Sequence, residues 1–102
     1  MSKTKSPAVA GTFYPEDKKQ LDQMLDLLLN KAIEIKETPK AIIAPHAGYI
    51  YSGEVAASAY APLKKLANQI KKVILLGPSH HVAFNGLAIP SSDHFQTPLG
   101  KV

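Results

Sequence analysis

The run Val73–His81, VILLGPSHH, joins five residues without a polar side chain to a proline and a pair of histidines. Val73–Gly77 is too short for a helix and does not alternate apolar with polar. It reads as a strand buried on both faces, the usual state in a parallel sheet. Pro78 has no N–H to give to a ladder, so the strand ends at Gly77-Pro78. Ser79, His80 and His81 follow at once. Open α/β sheets bind ligands in the crevice beyond the carboxyl ends of their strands, and two imidazoles stand at that place.

The arrangement has an echo upstream. Ala41–Ala44 (AIIA) is a second short apolar run, stopped by Pro45 and followed directly by His46. The 34 residues from His46 to His80 suit a βαβ unit, which takes roughly 30 or more. Such units cross over right-handed, and neighbouring strands lie about 4.8 Å apart. His46 and His80 are therefore expected at one sheet edge, close enough to share a metal ion at about 2.0–2.1 Å each. Neighbours in an extended segment point to opposite sides. One of His80 and His81 is then a ligand, with the other orienting it or meeting substrate. Ser79 is either a turn hydroxyl or a ligand contact.

A helix is expected after Pro15, with Glu16 and Asp17 in its first turn. Leu21, Met24, Leu25, Leu28, Leu29, Ala32 and Ile35 then form one apolar face, read as core. Thr38-Pro39 ends this helix. A second helix is expected over Gly53–Leu66, with Ser52 as N-cap, Glu54 in the first turn, and a bend or stop at Pro62. Gly86–Ile89 reads as a third strand, Met1–Ser6 as a frayed end, and Ala8–Tyr14 as an extended arm. Ser91–Gly100 shows neither a helical nor a strand period. Asp93 and His94 within it resemble a catalytic pair, against the reading of adjacent solvent-facing turn residues. The expected class is α/β, a mostly parallel sheet with flanking helices. Three strands and two helices leave it incomplete, as a fragment of a larger domain.

Composition narrows the function classes. The chain has 102 residues, 45% of them hydrophobic, and a net charge of +4. The excess charge comes from scattered lysines, with no Arg for bidentate phosphate contacts and no interleaved aromatics, so no nucleic-acid partner is expected. No cysteine is present, which rules out a thiolate metal site within these residues. The basic Met1–Pro7 segment has no apolar region after it, and no run approaches the ~20 apolar residues of a membrane span. The expected setting is cytoplasmic, with no membrane partner. The nearest carboxylates to the histidines in sequence are Glu54 and Asp93. Neither stands out as the third ligand that open metal sites require.

AIIAPHAGYIYSG at Ala41–Gly53, ILLGPSHH at Ile74–His81 and TPLG at Thr97–Gly100 together resemble the Memo family, and AVAGTFYP at Ala8–Pro15 resembles its N-terminal arm. That family is similar in fold to class III extradiol ring-cleaving dioxygenases. Its bacterial and archaeal members are labelled as the protein B type of an AmmeMemoRadiSam system. The resemblance implies that residues 1–102 are the N-terminal part of one Memo-like domain, with His46 and His80 as metal ligands and His81 in the same pocket. It implies a divalent metal, Fe or Cu ahead of Zn, with a third ligand from outside this chain. It further implies a metal-dependent redox or dioxygenase-like activity, in which His81 gives or takes a proton. The alternative is a non-catalytic module using the same pocket for a peptide or small anionic ligand. An anion site on the backbone of Gly77–Ser79 is a weaker third reading, since the phosphate-loop pattern is absent.

Overall fold

Asp17 starts the first long element. Its side chain accepts a hydrogen bond from the Gln20 N–H at 3.0 Å, which satisfies one of the donors a helix start leaves open. In the computed structural model, which describes residues 2–102, helix α1 runs over Lys18–Lys31. Pro15, Glu16 and Asp17 therefore precede the helix instead of forming its first turn. Ala32 leaves the helical region, with φ −62° and ψ 145°. The expected apolar face thus loses Ala32 and Ile35. β-Branched Ile33 and Ile35 are poor at prolonging a helix that has no packing beyond its last turn.

Helix α2 spans Tyr49–Tyr60 and passes into a 3-10 turn over Ala61–Leu66. It starts four residues before the expected Gly53. The Tyr49 N–H donates to the Phe13 carbonyl at 2.8 Å, so the arm closes a donor that a side-chain cap would otherwise take. Ser52 lies inside the helix, where its hydroxyl donates to the Ala47 carbonyl at 3.1 Å. Buried Pro62 sits at the change to 3-10 geometry. Gly53 allows α1 and α2 to meet closely, because a Cβ there would stand 3.0 Å from Leu28 Cδ1. Leu21 and Ala57, 3% and 6% exposed, form the centre of this helix pair.

The sheet differs from the expected one. Its strands are β1 (Thr4–Lys5), β2 (His94–Thr97) and β3 (Gly100–Lys101), in that order. β1 runs parallel to β2, and β2 antiparallel to β3. The sheet is small and mixed, compatible with an α/β class. β1 lies within the end expected to fray; Met1 is outside the described residues. The Asp93 carboxylate holds β1 by accepting from the Lys3 N–H at 2.9 Å. The β2–β3 hairpin arises where no period was visible. Pro98-Leu99 turns the chain, and the Thr97 hydroxyl spans it, accepting from Leu99 N–H at 3.1 Å and donating to the Gly100 carbonyl at 2.9 Å.

Ala41–Ala44, Val73–Gly77 and Gly86–Ile89 form no ladder among the described residues. Val73–Leu76 are 77–89% exposed, against the burial on both faces expected of them. A strand of this composition is stabilised by neighbours on both edges and layers on both faces. Here the two helices pack on each other, and nothing covers the run. The arm is likewise not extended. Gly11, at φ +85°, turns it, and its N–H donates to the Tyr14 carbonyl at 2.7 Å.

Candidate metal site

His46 lies in the turn that leads into α2, and the Ser52–Ala47 hydrogen bond ties this turn to the helix. His80 lies in a second turn, closed by Ser79. The Ser79 hydroxyl donates to the Val82 carbonyl at 2.6 Å, and the Val82 N–H returns to the same oxygen at 3.4 Å. The two turns meet. His80 Nε2 and His46 Nε2 are 3.3 Å apart, with ring centroids separated by 5.2 Å and planes tilted by 43°. Both residues are exposed.

This distance has two chemical meanings. Without an ion, one ring donates N–H to the other, which requires opposite tautomers at the two Nε2 atoms. Two nitrogens bound to one ion at 2.0–2.1 Å with a tetrahedral angle would lie about 3.3–3.4 Å apart. The separation of the two nitrogens is therefore that of two positions on one metal. A third protein ligand is absent: no group of three or more His, Cys, Asp or Glu among the described residues could hold an ion.

The other candidates do not join this contact. His81 is exposed and hydrogen-bonds to neither imidazole among the described residues. Asp93 is committed to the Lys3 N–H, and His94 beside it carries a buried Nδ1 with no hydrogen-bond partner. The two do not form a catalytic pair. Glu54 is exposed on α2 and completes no group of three ligands among the described residues. A Cβ at Gly77 would meet nothing within 4 Å, so Gly77 lies in open space.

Beneath His46 lies a cavity of about 520 Å³, walled by the arm, α1 and α2. Phe13, Tyr14, Leu25, Leu28 and Tyr49 give it an apolar lining, and His46 stands on its wall. Tyr14 and Tyr49 pair with ring centroids 5.7 Å apart. Burial, reinforced by the neighbouring Tyr14 and Tyr60, raises the Tyr49 phenol above its ordinary value of 10.0. Tyr49 is thus a neutral hydroxyl at physiological pH. The sequence marks Ala8–Tyr14 only as an extended arm. Its aromatic pair Phe13-Tyr14, four residues before the α1 cap, was the available signal for this wall.

Residues 5–102 match the family model described as Memo-like protein. The chain belongs to that family. It is 45% identical over 100 residues to a MEMO1 family protein of Aquifex aeolicus (strain VF5), covering 98% of this chain and 36% of that one. It is 41% identical over 99 residues to "Protein memo-1 homolog" of Caenorhabditis elegans, covering 97% of this chain and 28% of that protein. Protein MEMO1 of Mus musculus is 40% identical over 90 residues, covering 88% and 30% respectively. The chain thus spans about a third of the length of these curated Memo relatives.

Proposed function

We propose that this chain supplies the first two ligands, His46 and His80, of a divalent metal centre in a Memo-type α/β domain. The observation that carries this reading is the 3.3 Å separation of their Nε2 atoms. Fe or Cu is favoured over Zn, and the third ligand comes from outside this chain, in a protein of the relatives' length. The exposed apolar residues Ile43, Val73–Leu76 and Leu87–Ile89 support the larger domain, because each lies in a run of strand composition that lacks a ladder. Bound there, a redox-active ion with open positions would supply oxidoreductase chemistry of a dioxygenase-like kind. His46 and His80 would hold and orient it, and His81, the next residue in the chain, would be available to give or take a proton. No helix of the described residues is long and apolar enough to cross a membrane, and the proposed setting is cytoplasmic.

The second reading is a binding module without chemistry, holding a small-molecule or peptide ligand. The cavity beside His46 favours it, since apolar concave sites with few polar groups are the usual form of ligand pockets. Oxygen uptake by the metal-loaded, full-length protein with simple catechols separates the two. Uptake that disappears in His80→Ala supports the enzyme reading. Ligand binding without uptake supports the module.

A further inference from the structure

The imidazole of His80 is exposed, and so is every residue from Lys71 to Pro90, so packing cannot fix where it points. Among the described residues, two sets of hydrogen bonds bear on it. One is the His46 ring at 3.3 Å. The other is the closure of its own turn, in which one hydroxyl, that of Ser79, bonds both the carbonyl and the N–H of Val82. His80 and His81 are the two residues enclosed by that closure. Hydroxyl-closed turns of this type replace a backbone hydrogen bond and fix the dihedrals between their ends. His46 has a counterpart: the Ser52 hydroxyl holds the Ala47 carbonyl one residue after it, at 3.1 Å.

We infer that Ser79 is a positioning residue for the metal pair, holding His80 at the spacing from His46 that one ion requires. This rests on the reading of His46 and His80 as ligands. Ser79 need not touch the ion. It removes the freedom of an otherwise unpacked turn, so that the cost of ordering His80 is met in folding and not on binding. Losing groups that orient metal ligands typically lowers metal affinity 10–100-fold. A local closure with no ring contact belongs at the lower end.

The test is Cu(II) titration of the full-length protein followed by calorimetry, with circular dichroism to verify folding. Ser79→Ala is expected to weaken Cu(II) binding about tenfold. Ser79→Thr, which keeps the hydroxyl, is expected to restore it to within about twofold. The thermal midpoint of the metal-free protein should not move with Ser79→Ala, because Ser79 acts on the placement of His80 and not on the fold. Wild-type affinity in folded Ser79→Ala would overturn the inference while leaving the metal reading intact. A metal-free thermal midpoint that falls along with the affinity in Ser79→Ala would overturn it too, since the serine would then be merely structural. Cu(II) binding that is unaffected by His46→Ala and His80→Ala would overturn the metal reading itself, and with it this role for Ser79.

Discussion

His46 and His80 stand 34 residues apart in sequence, yet their Nε2 atoms lie 3.3 Å from each other. No strand pairing brings them there. The turn ahead of α2 and the turn closed by Ser79 meet at their tips, and the imidazoles make the contact. The spacing suits both a shared proton and a shared ion. Which of the two governs the molecule is a question of coordination chemistry.

The helix pair should set the stability of this chain. Leu21 is almost fully buried, whereas Leu27 on the same helix is 57% exposed. Leu21→Ala should cost about 2–5 kcal/mol in urea unfolding. Leu27→Ala should stay within about 0.5 kcal/mol, as surface substitutions usually do. Equal effects would mean that the face of α1 turned towards α2 is not the one described.

Asp93 should act on the sheet and not on the site. Asp93→Ala removes the acceptor of the Lys3 N–H and should cost about 1 kcal/mol or less at this exposed position. Amide exchange should quicken at Lys3 and at His94, whose N–H donates to the Lys3 carbonyl at 3.1 Å. Metal affinity should not change. A loss of metal with Asp93→Ala would make this carboxylate a ligand after all.

Tyr49 should leave a mark in alkali. Its folded-state pKa is raised, chiefly by burial, so the folded chain holds the phenol proton where the unfolded chain releases it. The native state then binds more protons than the unfolded state, and stability falls as pH rises from about 10 through the raised value. Tyr49→Phe should flatten that part of the stability–pH curve and leave the curve near neutrality unchanged. An identical alkaline slope in the variant would show that Tyr49 is not desolvated.

The meeting of His46 and His80 was readable from the chain, and rather less of the sheet was. The Pro45-His46 and Pro78…His80 pattern marked two turns, because turn chemistry is local and strong, and their imidazoles meet without the parallel strand pair that the spacing suggested. The first helix was readable because its leucines recur at helical steps. Its ends were not, since Asp17 caps by one side-chain bond and Ile33 stops it by a lack of packing. The start of α2 depended on Phe13, a partner far away in sequence. Val73–Leu76 was misread in its surroundings: apolar composition records what a segment can bury, while ladders and covering layers must come from elsewhere. The β2–β3 hairpin was missed because strands of four and two residues carry no period, although Thr97-Pro98 and Gly100 signal a turn.

The central claim is that His46 and His80 are two ligands of a metal centre completed outside this chain. Calorimetric titration with Fe(II) or Cu, on the 102-residue chain and on the full-length protein, tests it most directly. Two ligands rarely hold an ion against water and buffer, and open catalytic sites use three. The short chain should bind weakly, and His80→Ala should change that little. The full-length protein should bind one ion tightly and lose it on His46→Ala or His80→Ala. Tight one-to-one binding by the 102-residue chain alone, or full retention of the ion by the full-length His80→Ala variant, would contradict the claim.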